Sequence, residues 1–404
     1  MIPRQALVRV VGALGATIAI FWLLLSHFSD VPAASPSNWH GFGKSAKARS
    51  LLNDIQNTTL GACHSRPCST FEQIFVLGLP ERTDRRDAIT LNTALSRMTF
   101  QFIAGVPGDT ISDKAIPKES KHDKISDGAL GCWRAHMNAL QEIVRSNVST
   151  ALILEDDADW DVRIRRQLHD LALSTQALTQ PLEGHNSYAD SSYKYGKPAK
   201  NTLGGVKDFD FNSLPETSPV TFSPYGDEWD LLWLGHCGMQ MPGPGSSLPQ
   251  GRVVSKDDET VPAKEHLLSY IKPYTLKDNY PDHTRVVHHA SEGLCLLAYA
   301  VTQRGARELL REIALKDPTT PVDIMMRWFC DAEHGRRHHN CLAIQPPIFN
   351  PHRTRGPKED TSNIDSKWSG WWDTAETRMT RWSVRLNADR IIAGEEMEDQ
   401  FPDK

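Results

Sequence analysis

The chain has 404 residues, of which 39% are apolar and 24% charged, with a formal net charge of −5. These proportions suit a globular protein with a real core. The acidic balance, without a basic stripe interleaved with aromatics, speaks against nucleic-acid binding, and the length fits one large α/β domain or two smaller ones.

Arg4 and Arg9 precede an uncharged apolar run from Val10 to Leu25, which Phe28 extends. A full bilayer span needs ~20 residues, and a thinner early secretory membrane suits this slightly shorter run. The basic flank places the N-terminus in the cytosol. Residues 1–9 therefore read as a cytosolic tail and 10–28 as a transmembrane signal anchor. The alternative is a signal peptide cleaved near Ala33, Ala34 and Ser35. Either way the remainder enters the secretory lumen, as a single-pass type II protein of the Golgi or ER membrane if the anchor stays. The sequons Asn57-Thr58-Thr59 and Asn147-Val148-Ser149 agree with that location. Seven cysteines in an oxidising compartment should mostly pair and leave one free. Cys63–Cys68 and Cys330–Cys341 are the expected bridges. Residues 29–70, rich in Ser, Pro, Ala, Gly and Asn, read as a stem.

The folded part begins at Phe71. Residues 73–79 form a strand by their β-branched and aromatic content. Pro80 to Arg86 turns the chain into a helix with Leu91, Leu95 and Met98 at helical spacing. A second strand spans Phe100 to Val106. This β-α-β unit favours a parallel sheet. Gly128 to Cys132 introduces a helix whose Trp133, Met137, Leu140 and Val144 face the sheet. A short apolar strand, Ala151 to Leu154, then empties into Glu155-Asp156-Asp157-Ala158-Asp159-Trp160-Asp161. Residues 184–225 and 239–283 read as insertions, the first either mobile or folded over the site. Further strands are expected over Trp229–Gly235, Leu294–Val301 and Ala343–Phe349. Helices are expected from Arg304, capped by Thr302, and from Pro321. The segment after Lys358 reads as a polar tail with Trp368, Trp371, Trp372 and Trp382.

The carboxylate run carries the chemistry. Glu155 and Asp157, two apart in a turn after a strand, can share a hard cation that also binds a diphosphate. Mg²⁺ and Mn²⁺ suit such oxygen ligands; a solvated acidic turn is the plainer alternative. An EF-hand fails because Val162 stands where glycine is needed and Leu168 where the terminal acid is needed. Arg82, Arg85 and Arg86 stand at the same sheet edge and could hold a diphosphate or nucleobase edge, or simply form a basic helix start. His334, His338 and His339 are interrupted by arginines and lack an acid to complete a metal site. His288 and His289 could be core or ligand. Asp323 is by default a helix-capping carboxylate.

Several stretches together resemble glycosyltransferase family 25, the lipopolysaccharide and collagen galactosyltransferase group, and most of all its filamentous-fungal members. They are Leu77–Arg86, Gly128–His136, Leu152–Asp157, Trp229–Gly235, Ala298–Leu310, Pro321–Asp323 and Pro346–Arg353, in family order across about residues 71–365. Ala135 departs from the serine usual before the histidine, and the two insertions lie where an acceptor could bind. The resemblance implies an α/β, GT-A-like domain at 71–365, with a Rossmann-type mixed, mainly parallel sheet flanked by helices, and a tail at 366–404. It implies a Mn²⁺ (or Mg²⁺) ion held by Glu155 and Asp157. A UDP-sugar, galactose in most family members, would be contacted by Leu79, Arg82, Arg85, Asp156, His352 and Arg353, with Lys358 near the phosphates. A glycan or glycoprotein hydroxyl would be the acceptor, the transfer inverting, and Asp323 the base. The rivals are a catalytically silent sugar-binding protein of the same fold and a carboxylate-pair glycoside hydrolase.

Overall fold

The computed structural model describes residues 71–117, 125–194, 197–198, 207–316, 318–364 and 369–403. The expected anchor at 10–28, the stem, the Asn57 sequon and the Cys63–Cys68 bridge lie outside them. No helix among the described residues is long and apolar enough to cross a membrane.

Strand β1 (Gln73–Gly78), helix α1 (Thr83–Leu95) and β2 (Gln101–Ala104) form the opening unit. Helix α2 (Asp127–Arg145) follows, started by the Ser126 hydroxyl, which accepts the Ala129 N–H at 3.3 Å. Then come β3 (Thr150–Glu155), β4 (Ala158–Trp160) and α3 (Ile164–Thr179). The second half supplies β5 (Asp208–Asp210), β6 (Leu231–Gly235), β7 (Gly238–Gln240), β8 (Arg252–Ser255), β9 (Arg285–His289), β10 (Ser291–Leu294) and β11 (Ala298–Thr302). It closes with α4 (Gln303–Leu309), α5 (Val322–Asp331), β12 (Cys341–Gln345), β13 (Phe349–Arg353), β14 (Glu376–Thr377) and α6 (Ala388–Ala393).

A nine-stranded sheet runs β2-β1-β3-β11-β6-β12-β9-β8-β5. Strand β1 is parallel to β2 and β3, whereas β11 is antiparallel to both β3 and β6, and β9 is antiparallel to β12 and β8. The sheet is therefore mixed, with β11 and β9 reversed against the common direction. Both faces are covered, which explains why its inner strands are apolar without alternation. Ile74, Val76, Leu152 and Leu154 pack on one side with Ile164, Leu168 and Leu171 of α3. Phe75, Leu77, Ala151 and Ile153 pack on the other with Trp133 and Leu140 of α2 and with Met325 and Phe329 of α5. Truncating one of these, such as Leu152→Ala, costs about 2–5 kcal/mol.

Several local expectations change. Helix α1 buries Ile89, Asn92 and Thr93, while Leu91 lies 43% exposed. The inward stripe is set by Ile89 and its i+3 and i+4 neighbours, which the leucine spacing concealed. Helix α3 is absent from the sequence reading, because the face it buries includes Gln167, Ser174, Thr175 and Thr179. The described parts of the two insertions extend the sheet: β8 pairs with β9, and β5 with β8. Thr302 does cap α4, accepting the Gly305 N–H at 3.0 Å. Cys330–Cys341 is a disulfide, as expected; a second joins Cys237 to Cys295, and Cys132 is free. Residues 369–403, read as a polar tail, pack onto the domain, with Thr377, Ser383 and Asn387 fully buried.

Candidate active site

At the carboxyl ends of β1, β2 and β3 lies a cleft of about 470 Å³, where ligands bind in sheets of this kind. Its walls come from Leu79 and Arg85 after β1, the 105–108 loop after β2, Cys132 and His136 of α2, and Glu155 to Asp157 after β3. Pro351 to Arg353 of β13, the 361–364 segment, Tyr270, Trp372 and Arg378 complete it. Two glycines allow the close packing. A Cβ on Gly78 would stand 2.5 Å from an Asp156 carboxylate oxygen, and one on Gly131 would stand 2.5 Å from the Val106 carbonyl oxygen.

The acids are organised by Arg85. Its Nη1 lies 2.7 Å from Asp156 Oδ1 and 3.6 Å from Asp157 Oδ2, and its Nη2 donates to the Thr361 carbonyl at 2.5 Å. Burial raises the Asp156 carboxyl, with Arg85 opposing the shift. Burial also lifts Asp157 to about 6; Arg85 again opposes, while the Glu155 and Asp156 charges add to the rise. Asp157 Oδ1 is buried with no partner among the described residues. A crowded carboxylate group with one orphaned oxygen fits a cation that accepts it.

His352 sits beside these acids. Its backbone N–H donates to the Asp157 carbonyl at 2.9 Å, and its Nδ1 lies 2.9 Å from Thr377 Oγ1. That threonine hydroxyl donates to Asp159 Oδ2 at 2.6 Å, so toward the imidazole it accepts. The ring therefore carries its proton on Nδ1 and keeps Nε2 as an acceptor. Burial holds His352 near a pKa of about 3, with Arg385 contributing, and the ring is neutral at physiological pH. A neutral acceptor nitrogen suits a cation or a hydroxyl rather than a phosphate oxygen.

The remaining predicted residues fall in different places. Arg353 stacks over the Trp372 ring with its guanidinium 4.9 Å from the centroid, and Lys358 Nζ lies 4.3 Å from the same centroid. Arg82 turns aside to pair with Asp84 at 2.7 Å and to donate to Asn363 Oδ1 and the Asp360 carbonyl, so it holds the segment that walls the cleft. Asp323, in the first turn of α5, is not among the lining residues. Its Oδ2 accepts the N–H of Cys295, which does line the cleft, at 2.9 Å, and its Oδ1 accepts the Ile324 N–H at 2.9 Å. The only described group with metal-ligand spacing is Cys132, His136 and Glu155; the His334, His338 and His339 stretch forms none.

Asp159 and Asp161 are not solvated, as the plainer reading of the acidic turn would have them, but buried. Asp159 accepts from the Thr377 and Ser383 hydroxyls and from the Arg385 N–H at 3.2 Å. Asp161 accepts from the Arg163 N–H and Nε, both at 2.9 Å, and from the Trp382 N–H at 3.3 Å. Strand β4 pairs with β13 and carries both acids away from the cleft into contact with the C-terminal segment. Arg385, a half-buried guanidinium whose pKa desolvation lowers against the opposing charges of Asp159, Asp157 and Asp156, went unnoticed in the sequence. Cys132 and His136 carried a usable signal: their i, i+4 spacing puts both on one helix face.

Residues 71–215 match the model of glycosyltransferase family 25 (LPS biosynthesis protein). The chain is 27% identical to procollagen galactosyltransferase 1 of Danio rerio over 346 residues, covering 79% of this chain and 44% of that protein. It is 20% identical to procollagen galactosyltransferase 1-B of Xenopus laevis over 348 residues, covering 80% and 44%. It is 22% identical to the inactive glycosyltransferase 25 family member 3 of Homo sapiens over 120 residues, covering 26% and 20%. The chain thus spans less than half the length of these curated relatives.

Proposed function

We propose that this chain, whose residues 71–215 match the model of glycosyltransferase family 25, transfers a hexose from a UDP-sugar to a glycan or glycoprotein hydroxyl, with galactose the favoured donor sugar. The observation that carries the reading is one cleft at the sheet's carboxyl edge. It gathers Arg85, Glu155, Asp156, Asp157, His352 and Arg353 from three separate segments and leaves a buried Asp157 oxygen unsatisfied.

Glu155 and Asp157 are the groups that would hold Mn²⁺ or Mg²⁺, and the His352 Nε2 would join them only after side-chain rotation, because the three are not within metal-ligand spacing as they stand. The ion, when bound, supplies charge stabilisation for a departing diphosphate. Arg85 keeps Asp156 and Asp157 ionised and aligned across the turn. Arg353 and Lys358, both held against Trp372, bring cationic charge to the donor phosphates. Leu79 supplies apolar wall for the nucleoside. Asp323, which stands behind the cleft wall and accepts the N–H of the lining residue Cys295, would take the proton of the attacking hydroxyl once its side chain turns toward the acceptor.

The test is a UDP-release screen of the full chain with UDP-galactose, UDP-glucose and UDP-xylose, Mn²⁺, and a panel of glycan acceptors. UDP-galactose turnover that requires acceptor and is abolished by EDTA is expected. Asp323→Asn should keep donor binding and lose at least 100-fold in turnover. No turnover and no metal-dependent binding with any donor would overturn the reading in favour of a silent member of the fold.

A further inference from the structure

Cys132 and His136 occupy successive turns of α2, and Glu155 ends the neighbouring β3. One ligand atom from each lies within 4.8 Å of the others. The His136 ring is only 1% exposed, with Nε2 3.6 Å from Glu155 Oε1 and Nδ1 3.2 Å from the Tyr299 hydroxyl. Tyr299 is fully buried on β11, and the imidazole is its hydroxyl's sole hydrogen-bond partner among the described residues. This is the arrangement of a metal-bound imidazole: one nitrogen fixed by an outer partner, the other aimed at the remaining ligands. All three residues line the cleft, which leaves a fourth coordination position facing open space.

We propose that Cys132, His136 and Glu155 form a three-ligand site for a thiophilic divalent cation, Zn²⁺ being its representative. Mn²⁺ and Mg²⁺ prefer oxygen ligands, whereas a sulfur, an imidazole nitrogen and a single carboxylate select zinc. Tetrahedral zinc holds its ligand atoms about 3.5 Å apart, so side-chain rotations alone close the site. Binding forms a metal–sulfur bond, and the thiol proton leaves to solvent. Among the described residues, cysteines 237, 295, 330 and 341 are engaged in disulfides and Cys132 is the free thiol, lining the cleft. Glu155 is shared between this set and the oxygen set assigned above to the donor's cation. On that reading of the function, the thiophilic ion withdraws Glu155 and shuts off transfer.

The experiment uses the full chain, stripped of metal and titrated with Co²⁺. One equivalent should produce tetrahedral cobalt bands together with thiolate-to-cobalt charge-transfer absorption, all bleached by Zn²⁺. Cys132→Ser should abolish the charge-transfer band, and His136→Gln should weaken Co²⁺ affinity at least tenfold while keeping it. Circular dichroism checks that each variant is folded, and Glu155→Gln, also expected to weaken affinity at least tenfold, replaces any variant that is not. No charge-transfer band, or one that survives Cys132→Ser, would overturn the site. This readout is independent of transfer and separates failure of the site from failure of the proposed activity. Where UDP release is measurable, Zn²⁺ should inhibit the wild type, and Cys132→Ser should be at least tenfold less sensitive. Equal sensitivity would overturn the regulatory consequence.

Discussion

Residues 155–157 and residues 159–161 belong to one acidic run, yet they are treated differently by the fold. The first group faces the cleft, crowded, with one carboxylate oxygen left unpartnered and burial lifting Asp157 to about 6. The second group is saturated: the Thr377 and Ser383 hydroxyls, the Arg385 and Trp382 N–H groups and Arg163 fill its oxygens. The β4–β13 pairing divides them, turning the chain within two residues from a place where charge is stored to one where it is spent on structure. Carboxylates of one run are thus left open toward the cleft or bound into the structure according to whether donors in the protein have already claimed them.

Substitutions should break this division in opposite ways. Asp157→Asn should lower UDP release roughly 100- to 1,000-fold without reducing resistance to urea, because the amide keeps the side chain's shape, relieves the crowding of three carboxylates, and leaves Arg85 its closer partner Asp156 at 2.7 Å. Near-normal turnover in that variant, or an early urea transition, would erase the distinction. Asp159→Ala should do the reverse. It strands two hydroxyls and a backbone N–H, and the unfolding free energy should fall by about 3 kcal/mol, with residual activity tracking the folded fraction. The smallest effect sharpens the contrast with the part of the sheet remote from the acids. His288 is fully buried, donates from Nδ1 to the His289 carbonyl at 2.7 Å, and has a pKa lowered to about 3 by burial. Its folded form binds fewer protons than the unfolded chain between pH 3 and 6.5. The stability it supports is therefore complete above pH 6.5 and is lost as the pH falls toward 3. Between pH 7 and pH 5 that loss is roughly 2 kcal/mol. His288→Gln should reduce the acid-induced drop in urea stability by that amount; an unchanged drop would show that His288 does not titrate this way.

What could be read in advance follows a physical line. Strands buried on both faces announce themselves by uninterrupted apolar runs, as in Ile74 to Leu77 and Ala151 to Leu154, and α2 by Trp133, Met137 and Leu140. The acid cluster at a strand's end and Arg85 at the same edge were also legible, since the β-α-β unit puts both at one end of the sheet. Helix α3 was not, because Gln167 and Thr175 occupy its inward face and break the pattern. Nor were the roles of Asp159 and Asp161, whose partners in the C-terminal segment lie more than 200 residues away; local composition cannot distinguish a solvated carboxylate from a saturated one. The contacts of Arg82 with Asp84 and the 360–363 segment were hidden for a related reason, since that segment lies 278 or more residues away.

The distance between Asp159 and Arg385 is also an interval of time. They are separated by 226 positions, which at cytosolic or ER-bound ribosomes takes roughly 10 to 50 seconds to synthesise. Throughout that interval the nascent sheet carries an acidic turn whose compensating hydroxyls and guanidinium have not yet been made. The opening β-α-β unit can assemble early, but the cleft reaches its final electrostatic state only after Thr377 to Arg385 arrive. Premature termination before that segment should therefore leave Asp159 and Asp161 without their partners and the cleft unfinished.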